Sequence, residues 1–134
     1  RSGTFIQMDN SPVHFSSAQA GIEVANIGEA FAKYDWLKDY YWNAVKVDAD
    51  KYTAHVELNK ANGYFIRALP GVKTEYPVQA CLYPGNQQSF QNVHNIIIAE
   101  EGSELHIITG STIAHRDEMG LHLGVSEFYI KKGA

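Results

Sequence analysis

The chain has 134 residues, a formal net charge of −4 and a single cysteine. This length suits one domain or part of one, and the acidic balance without a lysine and arginine cluster argues against a nucleic-acid partner. No apolar run approaches the roughly 18 residues needed to cross a bilayer, and no charged leader precedes an apolar stretch. We therefore expect no membrane partner. Because one cysteine cannot form an internal disulfide, we also expect a cytoplasmic chain.

The N-terminal part of the sequence predicts short strands followed by helices. Alternation of apolar and polar residues predicts a first strand over Gly3–Met8, with turn residues after it. From residue 28 to Val45 apolar residues fall three or four apart, which is typical of one helical face. Asp35 is a candidate N-cap within this stretch, so one helix and two short helices fit the sequence equally well. Asp48–Asn59 predicts a further helix. The aromatic run Tyr34–Trp42 is interpreted as helix packing rather than as a ligand cage.

After residue 62 the helical period is lost and five strands are predicted, with glycine-containing turns between them. They are Phe65–Leu69, Pro77–Tyr83, Val93–Ala99, Leu105–Thr109 and Leu121–Ile130. Many short strands with frequent glycine turns predict a mainly β fold, as a sandwich, a barrel or a β-helix. We therefore divide the chain into a mixed helical segment, 1–62, and a β segment, 63–134.

One pattern recurs three times in the β segment at a step of 31 residues: an apolar run, two or three polar or turn residues, then glycine. The copies are YFIRALPG, NIIIAEEG and SEFYIKKG, which end at Gly71, Gly102 and Gly133. A fixed period of strands is typical of stacked coils, in which one unit cannot bury its own apolar face. The pattern favours the start of a parallel β-helix, or β-solenoid, truncated at Ala134. Together with Arg1 in place of Met, it predicts a fragment of a longer protein, and we expect its open end to self-associate.

The histidines and carboxylates of the β segment are the candidates for chemistry. They are His94, His106, His115, His122, Glu100, Glu101, Glu104 and Glu127. Stacked strands could bring His106 near His122, and two imidazoles with a carboxylate such as Glu127 would make a borderline metal site. The spacing matches no known ligand set, so we favour histidines hydrogen-bonded to backbone and expect no bound metal. Cys81 lies in an apolar strand and is interpreted as a buried, inert thiol.

Several stretches of the chain resemble the SufB/SufD family, the scaffold proteins of the SUF system of iron–sulfur cluster assembly. The stretches from His94 to Gly110 and from Gly120 to Ala134 are similar to the family, and Gly3–Asp9, Asp48–Ala54 and Gly63–Lys73 resemble its archaeal or short members. The resemblance implies a right-handed parallel β-helix core flanked by helical segments. It also implies a scaffold rather than an enzyme, which binds the SufC ATPase and a second SufB/SufD-type subunit and carries an iron–sulfur cluster in the intact complex.

The resemblance also identifies a position for sulfur chemistry. Members similar to SufB have cysteine after the glycine of a motif that reads Ile108-Thr-Gly-Ser-Thr112 here, so Ser111 stands at the sulfur-acceptor position. Serine cannot form a persulfide because that chemistry needs a thiolate. Ser111 is therefore either an engineered change or the mark of a SufD-like, non-accepting paralogue. The family's cluster-proximal residues and its SufC-binding region are implied to lie beyond Ala134, so no cluster is expected on this fragment.

Two other functions stay open at this stage. One is a small β-fold metal-binding enzyme, similar to cupins, that would use His106, His122 and Glu127; the missing His-x-His motif counts against it. The other is an inert structural β-helix module.

Overall fold

The computed structural model describes residues 1–59, 62–85, 90–112 and 121–134. The strands in this part of the chain are β1 (Gly3–Met8), β2 (Ser11–Ser17), β3 (Ile22–Asn26), β4 (Tyr64–Ala68), β5 (Val78–Tyr83), β6 (Phe90–Ala99), β7 (Ile107–Ser111) and β8 (Leu121–Ile130). The helices are α1 (Ile27–Lys33), a 3₁₀ helix (Asp35–Tyr40) and α2 (Lys51–Leu58). Among the described residues, no helix is long and apolar enough to span a membrane.

The strands form two four-stranded sheets, in the orders β2-β1-β5-β7 and β3-β4-β6-β8. Pairing is antiparallel between β1 and β2 and between β3 and β4, and parallel between all other neighbours. From β4 to β8 successive strands alternate between the two sheets. The fold is therefore mainly β, as the sequence predicted, and both of its sheets are mixed. The strands that precede residue 63 belong to the same two sheets, because β1 pairs with β5 and β3 with β4.

The second sheet has the 31-residue step that the sequence predicted. Phe65 of β4 lies beside Ile96 of β6, and Ile96 lies beside Glu127 of β8. A side chain follows the same step, because the backbone N–H of Tyr64 donates to Oδ1 of Asn95 at 3.0 Å. The repeat in the sequence thus reflects the register of this sheet, in which residues 31 apart lie side by side on neighbouring parallel strands.

The three glycines that end the repeated pattern stack on one another. Gly71, Gly102 and Gly133 have φ angles of 72°, 69° and 70°, which is the left-handed region that glycine adopts without steric cost. The N–H of Gly71 donates to the carbonyl of Glu101 at 2.9 Å, and the N–H of Gly102 donates to the carbonyl of Lys132 at 3.0 Å. The turns are therefore hydrogen-bonded from one copy to the next, as the strands are.

Apolar side chains fill two layers on either side of the second sheet. The layer between the sheets contains Phe5, Ile22, Tyr64, Ile66, Ala68, Val78, Ala80, Leu82, Val93 and Ile97. The layer between the second sheet and the helices contains Ile27, Ala30, Leu37, Phe65, Ile96 and Ile98. Because β4 and β6 are covered on both faces, their sequences are almost continuously apolar rather than alternating.

Of the two arrangements that the sequence left open, one helix or two short ones, the structure has two short helices, and the helical stretch ends earlier than its apolar spacing indicated. Asn26 caps α1, and Asp35 is the first residue of the 3₁₀ helix rather than its N-cap. Residues 41–50 are turns and bends, so the prediction of one helical face as far as Val45 was wrong. α2 begins after Asp50, whose side chain accepts from the N–H of Thr53 in a capping box.

Candidate functional site

The histidines and the glutamate of the predicted metal or polar site lie in different surroundings. His106 precedes β7 of the first sheet, is exposed, and donates its backbone N–H to Oγ1 of Thr74 at 3.0 Å. His122 and Glu127 both lie in β8 of the second sheet, but on opposite faces of the strand. Within the ranges that the structure describes, no group of three or more His, Cys, Asp or Glu side chains is arranged to hold a metal ion. The candidate His115 lies outside the described residues.

Position 111, the sulfur-acceptor position implied by the resemblance, lies at the end of β7. Ser111 is exposed and pairs with Leu82 of β5. Alternation along β7 places it on the same face as Ile107, which packs against the core between the sheets. The side chain at this position therefore lies on the inner face of the first sheet, on the edge strand β7. Cys81, predicted to be buried, is only half-buried and lies beside Gly110.

The His122 side chain is fixed in one tautomer by the strand next to it. Gln91 of β6 is buried, and its Nε2 donates to the carbonyl of Asp9 at 2.6 Å, so its Oε1 is left to accept. Nδ1 of His122 lies 2.7 Å from that Oε1 and must carry the proton. Neutral His122 therefore presents Nε2 as a hydrogen-bond acceptor. This ring lies over Gly124, where an added Cβ would come within 3.1 Å of Nε2.

A fully buried polar pair joins β6 to β8. His94 and Glu127 have no exposed side-chain surface, and Nε2 of His94 lies 2.7 Å from Oε1 of Glu127. The same carboxylate accepts the backbone N–H groups of four consecutive residues, 42–45, at 2.7 to 3.1 Å. Trp42 has a φ of +54°, and a left-handed residue next to turn residues makes successive N–H groups converge on an anion. One carboxylate therefore satisfies the backbone of a segment that has no helix or strand of its own.

The surroundings of His94 favour a neutral imidazole. The ring of Tyr41 stacks on its ring and the ring of Trp42 packs against it at a tilt, each with a centroid distance of 4.2 Å. Nε2 donates to Glu127, whereas Nδ1 is buried with no hydrogen-bond partner among the described residues. A proton on Nδ1 would be a buried, unpaired donor, which is costly, whereas an unprotonated Nδ1 is tolerated. Burial lowers the pKa of His94 and outweighs the opposite effects of the carboxylates of Glu127 and Glu57.

In contrast to His94, the carboxyl group of Glu127 is charged, because hydrogen bonds stabilise its ionised form. Burial alone would raise its pKa, but the hydrogen bonds from Val45, His94, Trp42 and Ala44 together outweigh burial, so the pKa lies below its usual value. Hydrogen bonds to the charged form stabilise it. The result is an anion held by backbone N–H groups and by a neutral imidazole.

Sequence reasoning named His94 and Glu127 separately and did not pair them. The signal was present, since Glu127 is the only charged residue on the β8 face that also carries Leu121, Leu123, Val125 and Tyr129. The 31-residue step places Ile96 beside Glu127, and His94 lies two residues earlier on the same face of β6. The end of the aromatic run, interpreted as helix packing, instead encloses this imidazole.

A cleft of about 660 Å³ lies next to this pair on the helical side of the second sheet, lined in part by Trp36, Tyr40 and Tyr129. A guanidinium nitrogen of Arg67 lies 2.9 Å from Glu100, and Nζ of Lys131 lies 3.4 Å from the same carboxylate. Both cations of the cleft are thus already paired.

Comparison with known proteins identifies the family. No family model matches the chain. The chain is 51% identical, over its whole length, to the iron-sulfur cluster assembly SufBD family protein of Methanothermobacter thermautotrophicus (strain Delta H), and also 51% identical to the protein of that name in Archaeoglobus fulgidus. It is 27% identical, over 74% of its length, to the iron-sulfur cluster assembly protein SufB of Bacillus subtilis.

The chain spans only part of these relatives, covering 34% of the Methanothermobacter protein, 36% of the Archaeoglobus protein and 21% of the Bacillus protein. The match to the archaeal proteins nevertheless covers every residue of the chain. The resemblance noted in the sequence is thereby confirmed: the chain belongs, as a segment about a third as long as its archaeal relatives, to the SufBD family.

Proposed function

We propose that the chain is part of a cytoplasmic scaffold on which iron–sulfur clusters are assembled by the SUF system. The observation that carries this proposal is the 51% identity, over the whole chain, to proteins named for iron–sulfur cluster assembly. In this role the chain is no enzyme: ATP hydrolysis belongs to a SufC-type partner, and the cluster forms on a complex that also contains a second SufB/SufD-type subunit.

In this proposal residues 63–134 are the first coils of a right-handed parallel β-helix, and residues 1–62 are its N-terminal segment. Three features support it: the alternation of β4 to β8 between two sheets, their parallel pairing, and the 31-residue register. A further coil would cover β8, where Phe128 and Ile130 are 56% and 62% exposed. Without that coil the chain self-associates through the same face, which sedimentation equilibrium would detect and a monomer at high concentration would contradict.

Position 111 is the proposed point of sulfur entry in SufB-like members, and Ser111 makes this chain unable to accept sulfur there. In an accepting variant, the thiolate at 111 would attack the outer sulfur of a donor persulfide, R–S–SH. The bond between the donor's two sulfur atoms would break, the donor would leave as a thiolate, and a persulfide would remain on residue 111. The exposed position of residue 111 on the outermost strand of the first sheet supports access by such a donor.

The test compares two cysteine variants in a Cys81→Ala background, which removes the only natural thiol. Ser111→Cys places a thiol at the proposed position, and Ser16→Cys places a matched, exposed thiol on β2. Both are treated anaerobically with a low-molecular-weight persulfide and analysed by mass spectrometry, and then with ferrous iron and sulfide while visible absorption is recorded. We expect one added sulfur atom on the position-111 variant and little on the other.

Equal labelling of the two variants, or none at position 111, would contradict sulfur entry there. Cluster absorption in the unsubstituted chain, which keeps Cys81 and Ser111, would contradict the proposal that the cluster site lies outside this segment. Neither result would bear on family membership, which rests on the sequence match.

A further inference from the structure

Residues 41–45 are held on the second sheet by a small set of contacts centred on one buried pair. Four backbone N–H groups of this segment bind Glu127, and the rings of Tyr41 and Trp42 enclose His94. The only other side-chain hydrogen bonds from these rings go to Glu57 of α2, from Nε1 of Trp42 at 2.6 Å and from the hydroxyl of Tyr41 at 3.2 Å, within the described part of the chain. We call His94, Glu127 and residues 41–45 together the latch.

The charge state of His94 and the closed latch depend on each other. A second proton on the imidazole would have to reside on Nδ1, which is buried and has no acceptor in the part of the chain that the structure describes. Water cannot solvate that N–H in the closed state, because the His94 side chain has no exposed surface and the rings of Tyr41, stacked, and Trp42, tilted, pack against the imidazole at 4.2 Å. A charged, unpaired donor in a closed cage is unfavourable, whereas opening the cage gives it water.

We propose that the latch is proton-operated: neutral His94 holds residues 41–45 against β8 through Glu127, and protonation of His94 releases that segment from the second sheet. The inference does not depend on the assembly role, since it uses only the contacts of the latch.

The charged and titratable groups that face His94 come from each neighbouring element. β8 contributes Glu127, to which the hydroxyl of Tyr129 also donates, α2 contributes Glu57, and the enclosing segment contributes the hydroxyl of Tyr41. On β4, Arg67 is already paired with Glu23 and Glu100.

The carboxylates favour a cation at His94, but burial opposes it and is the larger effect. The charge of Glu127 is already met by four N–H groups, so it attracts a second proton on His94 less strongly. The pKa of His94 in the closed latch therefore lies below the usual value of 6.5, which a solvated imidazole regains in the open state. A group whose pKa is lower when closed binds fewer protons when closed, so the latch is stable above pH 6.5 and loses stability as the pH falls through that value. At a pH below both pKa values, the ratio of open to closed molecules rises about tenfold for each unit by which the pKa of His94 is lower in the closed state than in the open state.

The experiment uses Trp42 as the reporter, since it contacts His94 directly. The chain has two tryptophans, and Trp36→Phe leaves Trp42 as the only one. In this variant we expect Trp42 fluorescence to change with a midpoint below pH 6.5, and amide exchange at residues 42–45 to accelerate over the same range. Exchange in β4 and β6 should stay slow, which distinguishes release of the segment from global unfolding.

Two substitutions complete the test. In His94→Gln the side-chain amide can still donate to Glu127 but cannot titrate, so the fluorescence change should disappear. In His14→Gln, an exposed histidine on β2, the change should remain. If His94→Gln does not fold, nitrogen NMR of the imidazole in the natural chain gives the answer, with a proton expected on Nε2 and none on Nδ1 at pH 7.5. A midpoint above 6.5, a doubly protonated His94 at pH 7.5, or a transition that persists in His94→Gln would overturn the proposal.

Discussion

The repeated strands and the segment 41–50 are both well packed, but different kinds of contact hold them. In β4, β6 and β8, backbone ladders at a 31-residue step and two apolar layers distribute the stabilisation over many similar contacts. The segment 41–50 has no helix or strand, and four of its N–H groups depend on one carboxylate, 82 to 85 residues away in the sequence. In the strands the costly substitutions should therefore be those that disturb the backbone ladder or leave a cavity in an apolar layer, whereas a single polar substitution should disrupt the segment.

The largest expected effect tests the backbone of the strands. Gly63 has a φ of +151°, and an added Cβ would lie 2.2 Å from the carbonyl oxygen of His94. Because neither backbone can move without breaking the ladder, Gly63→Ala should cost about 4 kcal/mol of the free energy of unfolding or prevent folding. Gly71→Ala is the control: its φ is +72°, but an added Cβ meets nothing within 4 Å, and it should cost about 1 kcal/mol. Equal costs in urea unfolding would contradict this account of Gly63.

The second effect tests the segment. Glu127→Gln removes the charge that four N–H groups and His94 bind, and we expect a loss of about 3 kcal/mol because these buried donors lose a charged acceptor. Glu104→Gln is the matched control, since the Glu104 side chain is 66% exposed and pairs with Lys73 on the surface; it should cost no more than about 0.5 kcal/mol. Thermal or urea unfolding would measure both. Similar small losses would show that the carboxylate does not hold the segment.

The third effect tests a polar contact within the repeat. Oδ1 of Asn95 accepts from the buried N–H of Tyr64, and its Nδ2 donates to Oγ of Ser126 at 3.1 Å. Asn95→Ala leaves the N–H of Tyr64 unpaired and should cost about 2 kcal/mol. Ser126→Ala removes the acceptor of the Asn95 side-chain amide but leaves the N–H of Tyr64 paired, so its cost should be smaller, about 0.5 kcal/mol. The reverse order of the two costs would contradict the interpretation that Asn95 links successive strands.

The comparison also explains what could be predicted from sequence. The β class, the strands and the 31-residue step are local or periodic properties, and glycine at positions 71, 102 and 133 records a backbone conformation directly. Residues 41–45 were predicted as helix because their apolar spacing continues that of α1. Their hydrogen bonds go instead to Glu127, which local periodicity cannot reveal. The pairing of His94 with Glu127 follows only after the register is known, because it is a diagonal neighbour across two strands.

The central claim is that Glu127 holds residues 42–45 on the repeated strands, and amide hydrogen exchange at neutral pH tests it most directly. If the claim is right, the amides of residues 42–45 exchange more slowly than those of Val47 and Asp48 in the same irregular segment. In Glu127→Gln that protection is lost while the amides of β6 keep theirs. If residues 42–45 exchange as fast as their neighbours in the natural chain, or keep their protection in Glu127→Gln, the claim is contradicted.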